Sequence, residues 1–264
     1  MATPFKMCLS RATGWLADRK IPTPLRGPVY RAYCRFTGAD VEEARPPLKA
    51  YPSLGAFFVR ELIEGARPVE PDPSLLPSPV DGTVQSLDEV SEGTILQAKG
   101  RAYPVRDLLG PVGEDIDLEG GFAWTIYLSP RDYHRIHSPE TARLVETAHL
   151  PGARHSVAPK VLARREVLSI NERVVLRLET ERGPLLLVLV GALNVGRIRV
   201  VGLQPEHTGP VDPPLERARG AELARFEMGS TIVLISPPGG PRAHDGLELG
   251  APVRLGQAIG SFQS

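Results

Sequence analysis

The sequence has few cysteines and no apolar run long enough to cross a bilayer. Its two cysteines, Cys8 and Cys34, cannot form a disulfide framework, and no CxxC pair indicates a zinc site. A reducing compartment fits this content best. The most apolar run, Leu185 to Leu193, is nine residues long, whereas a membrane-spanning helix needs about 20. This run therefore predicts a buried strand, and we expect no secretory signal, because the N-terminus lacks a long apolar segment.

The chain also lacks a net charge, because 31 Lys and Arg residues balance 31 Asp and Glu residues. This balance argues against a general nucleic-acid-binding protein, which needs an excess of basic side chains for the phosphates. Hydrophobic residues make up 42% of the 264, enough to bury a sizeable core and to exclude wholesale disorder. The 26 glycines and 27 prolines exceed the average share of about 12% and show no collagen-like period. They predict many turns between short strands.

The first 37 residues differ from the rest because they are strongly basic, with Asp18 as their only acidic residue. Apolar residues between Phe5 and Leu16 recur at steps of three and four, which predicts an amphipathic helix. A basic helix of this kind suits an anionic membrane surface, but a helix packed on its own domain gives the same pattern. Prolines are expected to end it, and two further helices are predicted, from Val29 to Phe36 and from Leu54 to Ile63.

From Pro71 onward the pattern changes to short β-prone runs separated by turn residues. The predicted strands are Thr94–Gln97, Ala123–Leu128, Val174–Leu178, Leu185–Val190, Ile198–Val201 and Thr231–Ile235. No repeat of solenoid period is present. We therefore predict an α+β fold, with N-terminal membrane-associating helices in residues 1–70 and a β-rich body in residues 71–264.

Two histidines stand three residues apart in the proline-bounded, charged segment from Tyr127 to Pro139. His134 and His137 are suited to shuttling protons. They are also suited to binding a metal with His149 or His155 as a third ligand. No matching cysteine or carboxylate pattern accompanies them, so we predict no metal.

Asp81 and Ser230 are the other two candidates for chemistry. Asp81 precedes Gly82, and Asp-Gly is a common hairpin turn as well as a possible site. Ser230 follows Gly229 and precedes an apolar run, so a turn entering a strand accounts for it too. The chemical interpretation makes Ser230 a nucleophile activated by a histidine that an aspartate orients. The G-x-S-x-G elbow of a hydrolase is absent, whereas the carbonyl of Gly229, which has no side chain, is open to attack by the neighbouring hydroxyl.

Seven blocks of sequence occur in an order that is characteristic of one family. The blocks are Phe57–Leu62 with Ala66–Pro68, Pro79–Gly82, Leu96–Tyr103, Tyr127–Pro139, Asn171–Arg173, Val190–Gly196 and Gly229–Thr231. Over nearly its whole length the chain resembles the phosphatidylserine decarboxylases, which are self-processing pyruvoyl enzymes of phospholipid synthesis. It departs from them at His155 and Ala158, where the family has an aromatic residue and an asparagine. These two positions are therefore not carried over as substrate contacts.

The resemblance implies that the chain cuts itself between Gly229 and Ser230. The Ser230 hydroxyl attacks the Gly229 carbonyl, with Asp81 and His137 as the base system, and β-elimination then cleaves the chain. Loss of ammonia leaves a covalent pyruvoyl group, derived from Ser230, as the cofactor. The products are a larger chain, residues 1–229, and a smaller chain, residues 230–264.

The resemblance further implies a carboxy-lyase that converts phosphatidylserine to phosphatidylethanolamine and CO2. The pyruvoyl ketone forms a Schiff base with the substrate amine and accepts the electrons released as CO2 leaves. His134 is a candidate for assisting decarboxylation or reprotonation. Residues 71–264 are then the catalytic domain.

The partners implied are phosphatidylserine in an anionic membrane surface and the second cleavage product, in a heterodimer that dimerises further. No nucleic acid is expected. The implied location is the cytoplasmic side of the cell membrane, with peripheral attachment.

Three alternatives use the same residues differently. A Ser-His-Asp hydrolase would act on an external ester and stay uncut. A related pyruvoyl decarboxylase would act on another serine lipid or on an amino acid. A non-catalytic membrane-surface or carrier-like β module would bind lipid regardless of Asp81, His137 and Ser230.

Overall fold

The computed structural model describes residues 17–45, 47–98, 101–192, 198–227 and 230–262. The helix predicted between Phe5 and Leu16 lies outside these residues. No helix within them is long and apolar enough to cross a membrane.

Helices form a small part of the described chain. They are α1 (Thr23–Thr37), a short 3-10 helix (Leu48–Ala50), α2 (Leu54–Phe58), α3 (Val105–Leu109) and α4 (Pro159–Leu162). Helix α1 begins six residues before the predicted Val29. Pro24 is tolerated in its first turn, where the backbone N–H groups have no intrahelical acceptor. The prediction that Pro28 precedes the helix is wrong, because Pro28 lies inside α1, which therefore lacks one intrahelical hydrogen bond there. The helix ends at Gly38, which takes a φ of 82° and donates its N–H to the Cys34 carbonyl at 2.7 Å.

Helix α2 is shorter than predicted, because Glu61–Leu62 forms a strand paired with Ala44–Arg45. The strands are β1 (Ala44–Arg45), β2 (Glu61–Leu62), β3 (Leu75–Pro77), β4 (Gly82–Glu89), β5 (Thr94–Ala98), β6 (Arg101–Pro104), β7 (Phe122–Leu128), β8 (Arg135–His137), β9 (Ala142–Leu150), β10 (Arg173–Thr180), β11 (Gly183–Gly191), β12 (Ile198–Val200), β13 (Gly209–Arg217), β14 (Glu222–Phe226), β15 (Ser230–Ser236), β16 (Arg242–Ala243), β17 (Pro252–Val253) and β18 (Ala258–Ser261). All six strands predicted from the sequence are confirmed, and the fold is α+β with β-structure dominant.

The main sheet is antiparallel and has eight strands in the order β13-β9-β10-β11-β15-β7-β4-β17. Both of its faces are covered. One packs against the small sheets β12-β14-β8 and β16-β18-β3, and the other against α3, α4 and the β5–β6 hairpin. In β15, Ile232 and Leu234 face the first core, whereas Val233 and Ile235 face the second. A central strand buried on both faces requires a continuous apolar run, which explains the composition of β11 and β15.

The N-terminal helices form a third, smaller core around Tyr30, Cys34 and Phe57. Among the hydrogen bonds that join this region to the β-rich body, two lie beside the histidine pair. The Tyr33 hydroxyl donates to the Pro130 carbonyl at 2.8 Å, and Arg135 Nε donates to the Val59 carbonyl at 3.0 Å. Pro130 and Arg135 belong to the segment that carries the histidine pair, so the helical region is attached beside the predicted site.

Candidate active site

Ser230 is the first residue of β15, in the middle of the main sheet. It lies opposite Gly191 of β11 and Leu128 of β7. The residue is fully buried, and its Oγ has no hydrogen-bond partner among the described residues. A buried hydroxyl without a partner is unfavourable by about 1–3 kcal/mol, so such groups are uncommon. Tyr103, Thr125 and Thr231 have the others in the described chain, and Ser230 differs from them in following the glycine of the predicted cleavage site. The preceding residue, Gly229, lies outside the described residues.

The side chain of His134 also has a buried polar atom without a hydrogen-bond partner in the described chain. The ring is fully buried and packs against Phe58, with 4.0 Å between ring centroids. Its Nδ1 donates to the Asp132 carbonyl at 2.8 Å, which leaves Nε2 as an unprotonated, unpartnered acceptor. Burial lowers the pKa of His134 to about 3, and the hydrogen bond to Asp132 only partly offsets this. The imidazole is therefore neutral at pH 7.

His137, at the end of β8, is held in a single tautomer. Its Nδ1 donates to the Gly220 carbonyl at 2.7 Å, so Nε2 is the acceptor and lies 3.2 Å from the Tyr133 hydroxyl. Burial lowers the pKa of His137 below its usual 6.5, although the hydrogen bond to Gly220 and the negative charges of Glu222 and, more weakly, Asp81 act in the opposite direction. The ring is therefore a neutral base at pH 7 whose reactive nitrogen is covered by Tyr133.

Asp81 is buried and ion-paired with Arg67. Two nitrogens of Arg67 contact the carboxylate, at 2.9 Å from Nε to Oδ1 and 2.6 Å from Nη2 to Oδ2. The backbone N–H of Leu255 donates to Oδ1 at 2.8 Å. Arg67 also contacts both carboxylate oxygens of Glu43, at 3.0 and 2.8 Å. A bidentate pair of this kind fixes the orientation of both side chains.

Gly82 does not form the hairpin turn that Asp-Gly often indicates, because it is the first residue of β4. A Cβ at this position would lie 2.6 Å from the Tyr127 carbonyl oxygen and 2.7 Å from Ile126 Cγ2. Glycine is therefore required for the close approach of β4 to β7. This contact fixes the position of the adjacent Asp81.

Backbone hydrogen bonds bring the predicted residues to one region. The His137 N–H donates to the Pro79 carbonyl at 2.9 Å, which holds β8 beside the loop that carries Asp81. The Phe226 N–H donates to the His134 carbonyl at 3.0 Å, and Phe226 precedes Ser230 by four residues. No hydrogen bond among the described residues joins the side chains of Asp81, His137 and Ser230 to one another.

Arg67, Tyr133 and the Gly220 carbonyl are contacts of the site that the sequence analysis did not single out. Arg67 and Tyr133 occur within the blocks that characterise the family, so those blocks were the available signal. Nothing in the sequence indicates the Gly220 carbonyl, because any residue can provide a backbone acceptor.

The other two histidines considered as metal ligands have different surroundings. His149 Nε2 lies 3.2 Å from Glu172 Oε1, and the His155 backbone bonds Asn171. No group of three or more His, Cys, Asp or Glu residues in the described ranges is arranged to hold a metal ion.

A buried serine hydroxyl, one buried and one half-buried neutral histidine and a fixed aspartate are the residue types of an enzyme with a serine-centred site. Comparison with known proteins identifies the family. The family model for phosphatidylserine decarboxylase matches residues 54–261. The phosphatidylserine decarboxylase proenzyme of Marinobacter nauticus is 38% identical, over 97% of this chain and 94% of the relative. Those of Azotobacter vinelandii and Bordetella avium are 38% and 39% identical, over 96% and 95% of this chain and 93% and 89% of the relatives. The chain belongs to the phosphatidylserine decarboxylase family, whose members are pyruvoyl-dependent carboxy-lyases.

Proposed function

We propose that the protein decarboxylates phosphatidylserine with a pyruvoyl group that it makes from Ser230. The complete burial of the unpartnered Ser230 hydroxyl carries this proposal. A hydrolase needs a nucleophile that an external ester can reach, whereas self-processing needs the hydroxyl only beside its own backbone. The names of the relatives support the substrate, and the word proenzyme in those names supports cleavage.

Self-processing begins when Ser230 Oγ adds to the Gly229 carbonyl and the amide becomes an ester. Removal of the Cα proton of residue 230 then expels the Gly229 carboxylate and leaves a dehydroalanine. Water hydrolyses its imine tautomer, which releases ammonia and leaves the ketone. Residues 1–229 and 230–264 stay together as a heterodimer.

His137 is the proposed base for the Ser230 proton. Its neutral form and fixed tautomer leave Nε2 free to accept a proton once the Tyr133 hydroxyl is exchanged for that of Ser230. Asp81 acts on His137 through its charge, which stabilises the imidazolium that forms. Arg67 and the Leu255 N–H hold Asp81 in place for this role.

Decarboxylation needs an electron sink and a proton carrier. A pyruvoyl group at Ser230 would supply the electron sink for the pair that CO2 leaves behind. His134 is the proposed proton carrier, because its buried Nε2 is unprotonated and unpartnered in the described chain. It relays to the carbon that has lost CO2 a proton that is released when the substrate amine condenses.

The test of the proposed function is an intact mass of the purified protein under denaturing conditions, followed by an assay of CO2 release. We expect two chains, the smaller of 35 residues with a pyruvoyl N-terminus, and CO2 from phosphatidylserine. A single chain labelled at Ser230 by a serine-directed reagent would favour the hydrolase instead. Cleavage with release of CO2 from free serine only would favour an amino-acid decarboxylase.

Helix α1 lies within the proposed membrane-associating region, residues 1–70. It exposes Leu25 (53%), Val29 (38%) and Phe36 (91%). Since each residue turns the helix by about 100°, these three side chains lie within about 40° of each other around the helix axis. The opposite face, with Tyr30 and Cys34, is buried. The helix contains three arginines and no acidic residue, so it presents an apolar stripe with basic flanks, as in helices that bind anionic bilayers.

Changing Leu25 and Phe36 together to serine should weaken binding to phosphatidylglycerol-containing vesicles by tenfold or more, measured by co-sedimentation. The reason is that each apolar side chain buried in lipid contributes about 1.5–3 kcal/mol. The control is Leu249→Ser, because Leu249 is 66% exposed but lies outside this region. Equal loss of binding in the control would show that α1 has no special role.

A further inference from the structure

Arg60 is a buried cation without a carboxylate partner in the described chain. The residue follows α2 and is only 2% exposed. Its Nε and Nη1, which carry three N–H donors, have no hydrogen-bond acceptor there. Nη2 makes one long bond, at 3.4 Å, to the Arg131 carbonyl, and the guanidinium lies 5.3 Å from the Phe57 ring centroid. These contacts are weak compensation for the burial of a full charge.

Arg60 lines a cavity of about 230 Å³ that also contains Asp81 and Tyr133. The other three arginines that line this cavity each lie within 4.0 Å of a carboxylate, in the pairs Arg67–Asp81, Arg131–Asp132 and Arg254–Glu43. Arg60 alone among the cavity's arginines has no such pair within the described residues. A buried guanidinium with free donors beside a cavity has the properties of an anion-binding group.

The cavity lies beside the proposed decarboxylation site. Phe58, two residues before Arg60, packs against His134 with the rings tilted, and the intervening Val59 accepts a hydrogen bond from Arg135. After burial and the hydrogen bond to Asp132, the positive charge of Arg60 is the next influence on the pKa of His134, which it lowers. An anion bound at Arg60 would therefore lie within electrostatic range of His134.

We propose that Arg60 binds the phosphodiester of the lipid headgroup, which extends the proposed function to a named substrate contact. The substrate has two anions, the phosphodiester and the carboxylate. A cation on the carboxylate would stabilise the ground state, because that charge disappears as CO2 leaves, and so would slow the reaction. The phosphodiester keeps its charge from substrate to product. A guanidinium there binds both equally and holds the headgroup without opposing the chemistry.

The test is calorimetric titration of the full-length protein with two probes that cannot react with the ketone. Dihexanoyl phosphatidylcholine has the phosphodiester but no carboxylate or primary amine, and N-acetyl-L-serine has the carboxylate but no phosphodiester. Arg60→Met should weaken phosphatidylcholine binding by about ten- to a hundredfold, the range for loss of a charged hydrogen-bond donor. It should leave N-acetylserine binding unchanged. Arg60→Lys, which keeps the charge, should give a smaller loss.

The control is Arg143→Met, which removes one arginine from an exposed position of β9. Equal weakening in this control, or weakening of the N-acetylserine complex alone by Arg60→Met, would overturn the proposal. If Arg60→Met does not fold, Arg60→Lys is used instead, and its phosphatidylcholine binding is compared with its N-acetylserine binding in the same way. The titration requires no turnover, so it tests Arg60 separately from cleavage and CO2 release, whose absence in the unaltered protein would refute the proposed function itself.

Discussion

The Ser230→Ala chain is expected to remain a single polypeptide of 264 residues. It should have no pyruvoyl ketone and no decarboxylase activity. Alanine has no Oγ, so the Gly229 amide cannot become an ester and the elimination has no leaving group. The substitution removes a buried hydroxyl that has no partner in the described chain, so the fold should be retained or slightly stabilised. Intact mass, a carbonyl-reactive hydrazide and CO2 release measure the three losses.

Ser236→Ala is a closely matched control, because Ser236 is a buried serine at the other end of β15. Its hydroxyl donates to the Pro241 carbonyl at 2.8 Å, so its loss should reduce stability by about 1 kcal/mol but leave cleavage intact. Cleavage of the Ser230→Ala chain at its normal position would exclude Ser230 as the origin of the pyruvoyl group.

Substitution of His137 and of His134 should affect different reactions, cleavage of the chain in the first case and decarboxylation in the second. His137→Ala removes the proposed base and should leave the chain uncut, or cut at a rate lower by about 10²–10⁴, the usual contribution of a general base. His134→Ala should be cut and carry a carbonyl group, yet release CO2 more slowly by a similar factor, because its Nε2 is proposed to act only on the substrate. The two rates are measured by denaturing electrophoresis over time and by CO2 release from the cut protein.

His149→Ala is the control for this pair, since His149 contacts Glu172 and lies outside the proposed site. Full decarboxylase activity in cut His134→Ala would remove His134 from the mechanism. Rapid cleavage of His137→Ala would leave Asp81 and Tyr133 as the candidates for the base.

The strands were predictable because few other local structures accommodate their sequence patterns. A run such as Leu185–Val190 is too apolar for a loop and too short for a membrane-spanning helix, so a strand buried on both faces was the remaining solution. The boundaries of the helices were less predictable. Proline generally indicates a helix break, but Pro24 lies in the first turn of α1. A backbone N–H there would make no intrahelical hydrogen bond, so its absence does not weaken the helix.

The types of residue in the site were predictable, but their pairing was not. The sequence contains Asp81, His137 and Ser230, and these suggest a relay in which aspartate contacts histidine. In the structure the strongest contacts of Asp81 are to Arg67, and the Gly220 carbonyl orients His137. Pairing of this kind depends on which distant segments meet, and residues 67, 81, 137 and 220 meet only through the sheet topology.

The position of β15 in the main sheet implies that the chain folds before it processes itself. Ser230–Ser236 pairs with β11 on one side and β7 on the other, so Ser230 lies between them only after strands from both halves of the chain have assembled. The reactive geometry therefore arises after folding. On the proposed mechanism a misfolded copy should acquire no cofactor, so the presence of a pyruvoyl group would show that its chain had folded correctly. For the same reason, the two product chains expressed from separate genes should not yield active enzyme.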